Sequence, residues 1–547
     1  MKIYRSCIIL IILTLLLASC APAATTGATT AATTAAAAQT TAAATTAAAT
    51  TTAAAAAETT AAATESQPSG LVSDEPVTLS IFIDHSWYPT DKFEGIIPEE
   101  ITRLTNVTLD PVVGIDAQQL GVMAGSGELP DLVYTSAYIT ELSTAELCQS
   151  YEDLIEKYNV DWDLTPIQLG IGRTYSDDGK AYCILNHYSN AEDWADTEAV
   201  QMCGSLIYRT DLWEGVGSPA MESFDDLFDV FGQVKDAYPE LGAIMTLNAN
   251  WNMLTLRYYW GISELEWHEQ PDGSFIHYSM DPRYKDLLAW VNKCYRAGFI
   301  NADESYFVTG STAIPTEGKF ITCSCTQNAL PGTISGLQKV DPSFNAAELV
   351  PFKQSDYALS DPGWSGTFIS NNCKNPEVAI KFIAYMFKPE SQRLSQMGRE
   401  GIEYTMDERG MPLFSDAWKQ AITEDNQAIV YNPWFYLGGS EVVESISRIA
   451  TTPPELCADA YKVMRSTFTN KPWISLAKPK AGSDEKIIMD KISELLNTYE
   501  ARMILAPTED DFEKLYGEYV NNAQTTGMTK LADYMSAAIP EMMPLFS

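Results

Sequence analysis

Val77-Thr-Leu-Ser-Ile-Phe-Ile83 is the stretch on which the reading of the fold turns. It alternates apolar and polar side chains and is rich in β-branched and aromatic residues, which predicts a strand. Pro98-Glu-Glu100 follows and starts a helix, because proline suits a first helical turn and acidic groups favour a helix N-terminus. Gln118 to Ala124 reads as a second helix, closed by the loop Gly125-Ser-Gly-Glu-Leu-Pro130. Asp131-Leu-Val-Tyr134 is then a short strand. The β-α-β-α-β order predicts an α/β lobe with a mainly parallel sheet. Later segments are more helical. Ser223-Phe-Asp-Asp226 resembles a capping box, and Phe224, Leu227, Phe228, Phe231 and Val234 share one face until Pro239. Asn375-Pro376 starts another helix, with Ala379, Phe382, Ile383, Met386 and Phe387 at helical spacing. Both stripes read as core, and no internal repeat is visible.

Upstream, Lys2 and Arg5 precede an apolar run from Ile8 to Leu17, interrupted only by Thr14. A membrane-spanning helix needs about 20 apolar residues, so this run has instead the size of a secretory signal core. It ends in Leu17-Ala-Ser-Cys20, which resembles the lipobox of bacterial lipoproteins. The resemblance implies that residues 1–19 are removed and that Cys20 becomes a lipidated first residue. The competing reading is an ordinary signal peptide with an incidental cysteine. Each buried methylene contributes about 0.8 kcal/mol, so a doubly acylated Cys20 would hold the chain on a membrane without spanning it. From Cys20 to about residue 72 the chain is expected to be a tether. As far as Thr64 it is almost wholly Ala and Thr, with no larger apolar residue to repay the entropy of ordering. A transient Ala-rich helix is the structural alternative, and the threonines are candidate glycosylation sites.

The remaining chain is long enough for two or more lobes. The full chain's net charge of −37, two units more negative once Lys2 and Arg5 leave with the signal, repels phosphate backbones and argues against a nucleic-acid partner. The 12 Trp, 27 Tyr and 19 Phe make a stacking site plausible, although most aromatics in a globular protein are core. Eight further cysteines (148, 183, 203, 294, 323, 325, 373 and 457) are scattered, and their pairing does not follow from spacing. Cys323-Ser-Cys325 is too tight for a zinc knuckle and has no nearby histidine, so neither metal nor cofactor is expected. The four histidines (85, 187, 268 and 277) form no His-x-x-x-His pattern. No Gly-x-Ser-x-Gly elbow or phosphate-binding loop is present, and Ser475-Leu-Ala-Lys478 lacks the partner motifs of penicillin-interacting enzymes. The chain therefore reads as a non-enzyme.

Five segments in order resemble the extracellular solute-binding proteins of ABC importers, in the carbohydrate-associated class. They are Gly125-Ser-Gly-Glu-Leu-Pro-Asp-Leu-Val133; Tyr208-Arg-Thr-Asp-Leu-Trp213 with Ser223-Phe-Asp-Asp-Leu227; Tyr284 to Phe299; Asn375-Pro-Glu-Val-Ala-Ile-Lys-Phe382; and Gly398-Arg-Glu-Gly-Ile-Glu-Tyr404. The chain has Gly401-Ile-Glu403 where relatives often carry a longer Glu-Gly run, which weakens any role for Glu403. The resemblance implies a two-lobe α/β fold of the periplasmic-binding-protein type, with hinge-crossing segments and ligand held between the lobes. The expected division is lobe one at about 73–188 and 310–370, and lobe two at about 189–309 and 371–547. The implied function is capture of an extracellular solute, foremost an oligosaccharide, with peptide and acidic sugar as alternatives. Delivery to permease subunits by a monomer lipid-anchored at the extracellular face of the membrane completes the expectation. A sensory binding protein and a glycan-active enzyme are the rival functions.

Ligands sit beyond the carboxyl ends of strands in open α/β sheets, which selects Asp84, Trp87, Tyr88, Tyr134 and Ser136. A flat indole covers the apolar face of a sugar while polar groups meet its hydroxyl rim. The aromatic-amide region Asn250-Trp-Asn252 and Tyr258-Tyr-Trp260 adds Trp251 and Trp260. Trp364, in Pro362-Gly-Trp-Ser-Gly366, and Trp434, in Asn432-Pro-Trp434, are further candidates. The alternative for every one of these rings is core packing. Arg209 is a candidate for a ligand carboxylate or a partner for Asp211, and Asn186 with His187 lies near the first crossing.

Overall fold

The computed structural model describes residues 70–546, except 117, 202, 243–244, 247–250, 301–317, 319, 327–329, 424–432, 451 and 481. Only the backbone is described for Thr246, Trp251, Asn252, 323–326, 422–423 and Pro433. Cys20 and the Ala/Thr-rich stretch lie outside the described residues.

The first lobe opens as the alternation predicts. β1 (Val77–Ile83) leads through α1 (Ile96–Thr105) to β2 (Val107–Val113), then through α2 (Gln119–Ser126) to β3 (Leu132–Thr135). β1 runs parallel to β2, from Val77 opposite Val107 to Ile83 opposite Val113, and parallel to β3, with Ile81 opposite Leu132. α1 begins two residues before Pro98 and buries Ile97, Ile101 and Thr105 along one face. It stops at Asn106, whose φ of 60° reverses the chain directly into β2. α3 (Pro166–Arg173) is closed at its start by a Thr165–Gln168 capping box.

The chain then crosses to a second sheet. β4 (Gly204–Arg209), α4 (Phe224–Ala237), β5 (Met245–Thr246) and α5 (Trp251–Trp260) precede a hairpin, β6 (Trp267–Glu269) and β7 (Phe275–His277). α6 (Pro282–Arg296), β8 (Thr322–Thr326) and β9 (Ala346–Glu348) complete this sheet region. Ser223 caps α4 as expected, its hydroxyl accepting from the Asp226 N–H at 3.1 Å. The sheet order is β5-β8-β4-β9, with β8 and β9 antiparallel to β4. After a short strand, Ala358–Leu359, the chain returns to the first sheet as β10 (Gly366–Ile369), antiparallel to β3. The first sheet is thus β10-β3-β1-β2. α7 (Pro376–Met386), α8 (Glu441–Ile449), α9 (Asp484–Ile504), α10 (Glu509–Thr526) and α11 (Met528–Met542) follow.

The expected lobe boundaries need correction. Residues 320–359, assigned above to lobe one, pack in the second core: β8 pairs with β4, and Phe320, Leu330, Phe352 and Tyr357 join that cluster. Residues 373–421 and 434–437, assigned to lobe two, join the first core through Ile380, Phe382, Ile383, Tyr404, Trp418 and Trp434. The Tyr284–Phe299 segment therefore leads back into the second sheet and not into the first lobe. A strand joins the sheet that satisfies its N–H and C=O groups, and that partner lies more than a hundred residues away, beyond the reach of local pattern. α9, α10 and α11 complete the second core, whereas Phe546, just beyond α11, is buried in a cluster of the first lobe with Leu120, Ile171 and Tyr182.

Candidate ligand-binding site

Parallel β1 and β3 end at the same edge of the first sheet, and antiparallel β10 begins there, with Gly366 opposite Thr135. Three loops therefore converge by register alone: Asp84–Tyr88 after β1, Ser136 after β3, and Trp364 just before β10. The edge carries a platform of rings. Trp364 stacks on His85 at 5.3 Å between centroids, with an interplanar angle of 18°. It also stacks on Trp87 at 5.8 Å and 29°. Tyr436 meets both indoles edge-on, at 5.3 Å from Trp364 and 5.9 Å from Trp87. Trp87 is 49% exposed and Trp364 38%, whereas Trp434 is 1% exposed. Offset stacking of this kind stabilises the rings while leaving one face open.

His85 is 8% exposed, and its Nε2 has no hydrogen-bond partner among the described residues. Burial lowers its pKa to about 4, so the ring is neutral near pH 7 and packs as an aromatic plate. Asp84 is half-buried. It accepts from the Thr135 hydroxyl at 2.8 Å, while burial raises its pKa and that hydrogen bond partly offsets the rise. Ser136 is half-buried beside it.

The other candidates fall elsewhere. Tyr88, Tyr134 and Trp434 are buried, and Trp434 sits against Phe93 at 4.9 Å and Tyr88 at 5.6 Å as a support beneath the platform. Trp260 packs on Phe224 at 4.4 Å in the second core. Arg209 is 2% exposed. It ion-pairs with Asp211, donates to the Gly318 carbonyl and lies 3.7 Å over the Phe344 ring, so it holds the second lobe together and has no reach to the platform. The side chain of Trp251 lies outside the described residues. Glu403 ion-pairs with Arg399 at 2.7 Å and is likewise internal. His85 and Tyr436 had no place among the sequence-derived candidates. His85 was legible as a neighbour of Trp87 after β1, whereas nothing local distinguishes Tyr436.

Asn186 is buried at the crossing and works as a staple. Its Oδ1 accepts from the Ser365 N–H and hydroxyl, both at 3.1 Å, and its amide donates to the Tyr436 carbonyl. The Ser365 hydroxyl also bonds the Tyr134 hydroxyl at 2.7 Å. Next to it His187, at φ 61°, places Nε2 2.9 Å from the Glu444 carboxylate, which also pairs with Arg448. Burial would raise the Glu444 pKa, but the charges of Arg448 and His187 and their hydrogen bonds outweigh it and hold it at about 2. Asn470 ties the 189 and 361 carbonyls together at 2.8 and 2.9 Å. These bonds clamp the crossing segments directly behind Trp364, so the platform stands at the junction of the two lobes.

A family model of bacterial extracellular solute-binding proteins matches residues 105–399, more than half of the chain. The chain belongs to that family. Members bind solutes outside the cell. In sequence, no curated protein matches the chain. In structure, the chain is similar to the alginate-binding protein AlgQ2 without calcium ion, at 19% identity and a TM-score of 0.58, covering 87% of this chain and 100% of that one. It is similar to the N-glycan transport solute-binding protein NgtS from Streptococcus pneumoniae, at 15% identity and TM-score 0.58, covering 86% and 99%. It is also similar to an extracellular solute-binding protein from Bifidobacterium longum subsp. infantis, at 12% identity and TM-score 0.60, covering 86% and 98%. These likenesses establish the two-lobe fold of a solute-binding protein. No helix among the described residues is long and apolar enough to cross a membrane.

Proposed function

We propose that this solute-binding protein captures an oligosaccharide and passes it unaltered to the permease subunits of an ABC importer. The carrying observation is the pair of open indoles, Trp87 and Trp364, stacked on each other beside His85 at the carboxyl edge of the first sheet. Water gains little from an exposed indole face, whereas the C–H face of a sugar ring covers it well. Asp84 stands beside the rings to accept from hydroxyls. Closure of the second lobe over such a ligand is favoured because only the closed form offers both sets of contacts. The printed descriptions of similar structures, among them an N-glycan transport protein and a pneumococcal protein complexed with kestose, support a saccharide cargo. Cys20 anchors the protein by its lipid, and the Ala/Thr stretch lifts the lobes from the surface. The protein acts as a monomer and not as an enzyme.

Thermal-shift and calorimetric titrations with a glycan panel test the reading. Stoichiometric binding of one saccharide with no new product by chromatography is the expected result. Turnover of a bound glycan would make the protein an enzyme and end the transport reading. Labelled palmitate is expected in the wild-type protein and absent from Cys20→Ala; label retained in that variant would end the anchor assignment.

A further inference from the structure

Two segments besides the covalent crossings fasten one lobe to the other, and they reach in opposite directions. The first is a hairpin of the first lobe, Tyr404–Met406 paired with Pro412–Phe414. Its base is buried in the first core through Tyr404 and Phe414, with Trp418 stacked on Phe414 at 6.3 Å. Its tip belongs to the second core, where Met411 is buried. Beside Met411, Arg409 pairs with Glu198 at 3.0 Å, and Arg465 of the second lobe donates to the Glu198 and Ala199 carbonyls. Asp407 holds the tip in shape by accepting from the Arg409 and Met411 N–H groups, both at 2.9 Å, and Gly410 at φ 77° makes the reversal.

The second is the C-terminal tail, and it runs the other way. α11 buries Leu531, Met535 and Ile539 in the second core. Just beyond its end, Phe546 is buried in the first lobe beside α3. Trp473, 6.0 Å from the Phe546 ring, packs against both the second core and the cluster that holds Phe546.

These two clasps lie on opposite faces of the first sheet. Side chains alternate along a strand, and in β1 Ile81 and Ile83 join the cluster that holds the hairpin base, whereas Phe82 joins the cluster of Phe546. The first crossing segment runs from one clasp to the other. At its start, Cys183 touches α3 and β10: a Cβ added at Gly172 would lie 2.8 Å from the Cys183 carbonyl oxygen, and one at Gly366 would lie 2.7 Å from its Sγ. At its end, Glu198 carries the hairpin tip. The clasps therefore flank the crossing, which meets the first sheet at its edge strand β10, where Leu185 pairs with Gly366.

We infer that the two clasps mark the ends of one hinge axis, which passes through the junction from face to face of the first sheet, and that the lobes close over cargo by rotation about it without twist. Two bodies pinned at two points keep one rotation, about the line through both pins. Any other motion draws Met411 or Phe546 out of an apolar seat and exposes it to water. A rotation of about 15° shifts a point about 5 Å from the axis by only about 1 Å, and a point about 25 Å away by about 7 Å. β2 is at the opposite end of the sheet from β10, so the loop after β2 travels furthest relative to the second lobe and the platform beside β10 travels least. The axis rests on the lobe closure over a saccharide proposed above.

Spin-label distances in the full chain test the axis. One pair, Ile115→Cys with Val340→Cys, spans the lobes at exposed positions, since Ile115 follows β2 and Val340 ends the second-lobe helix Leu330–Val340. The other, Glu198→Cys with Arg409→Cys, spans the hairpin clasp at exposed side chains and leaves Met411 in place. The tightest-binding saccharide of the glycan panel is expected to shift the first pair by about 5 Å or more and to leave the second within about 2 Å, at a single narrow distance. A second pair that shifts or broadens with the first overturns the axis, and so does a first pair that stays still while the saccharide binds; in both cases the saccharide reading stands. If no saccharide binds, that reading falls, and the free protein decides the axis. There Met411→Ala and Phe546→Ala, each confirmed as folded by its melting transition, are expected to broaden the distance distribution of the first pair by admitting twist. Distributions as narrow as the wild type in both variants overturn the axis.

Discussion

Gly170→Ala in α3 sets two effects of opposite sign against each other. Alanine in a helix interior stabilises by roughly 1 kcal/mol relative to glycine. At this position, however, an added Cβ would lie inside contact distance of the Leu545 carbonyl oxygen and 3.2 Å from Phe546 Cδ1. The obstacle is backbone, so relief requires the 545–546 segment to move off the helix. That movement exposes Phe546, now 6% exposed among Leu120, Ile171 and Tyr182 of the first lobe. Burial of a phenylalanine is worth about 1.5–3 kcal/mol. The net expectation is a loss of about 0.5–2 kcal/mol, the difference of these two terms. Denaturant unfolding of Gly170→Ala, Phe546→Ala and the double variant measures it. The two substitutions should be strongly non-additive, because each removes the same contact. The variant becoming about 1 kcal/mol more stable, with Phe546→Ala simply additive, would refute the packing. The contact matters beyond stability: α11 belongs to the second core, so Phe546 ties the second lobe to the first.

Further predictions separate cargo-facing groups from supporting ones. The open 38% of Trp364, out of roughly 250 Å² for a tryptophan, is about 95 Å². Covering it is worth about 2 kcal/mol, so Trp364→Ala should weaken saccharide binding roughly thirtyfold by calorimetry. Trp434→Ala, at a ring 1% exposed, should instead cost about 3–5 kcal/mol of stability and lower the melting temperature. Burial places the folded pKa of His85 at about 4, below the ordinary 6.5, so the unfolded chain takes the proton first. Stability therefore falls as pH drops from 6.5 to about 4 and loses nothing more from this group below that. His85→Phe should flatten that window in melting-temperature profiles. Glu444, with its carboxylate held at about 2, acts in the next window: its contribution is intact above pH 4.5 and is lost as pH falls towards 2. Glu444→Ala should cost about 1–3 kcal/mol at pH 7, because it removes the buried carboxylate that bonds His187 and pairs with Arg448. Cysteines 148, 183, 203, 294, 373 and 457 are buried free thiols with pKa values raised by burial, so Ellman's reagent should label them only after unfolding.

Local pattern was enough for several elements of both lobes. The alternation at Val77–Ile83, the proline near the start of α1, the Ser223 cap and the stripe of α7 each express an interaction within a few residues, and each element lies within two residues of its expected start. The strand-edge rule also led from sequence to Asp84, Trp87 and Ser136, since a loop after a parallel strand must emerge at that edge. The rule did not separate the open rings from the buried ones. Trp364 and Trp434 have similar local surroundings of Pro, Gly and aromatics, yet one is open and the other is covered by Phe93 and Tyr88 more than three hundred residues away.

Sequence by itself thus determined the α/β character, the amphipathic helices and the family, all carried by short-range periodicity and motif order. The tertiary structure alone decided which sheet residues 322–326 join, that residues 373–421 and 434–437 return to the first core, and that Arg209 is spent on Asp211 and Phe344. It also placed His85 and Tyr436 against the two open indoles. The physical reason is common to all of these. Hydrogen-bond pairing and burial are satisfied between distant segments, and a residue's exposure is set by whatever neighbour the fold brings to it, not by the residues beside it in the chain.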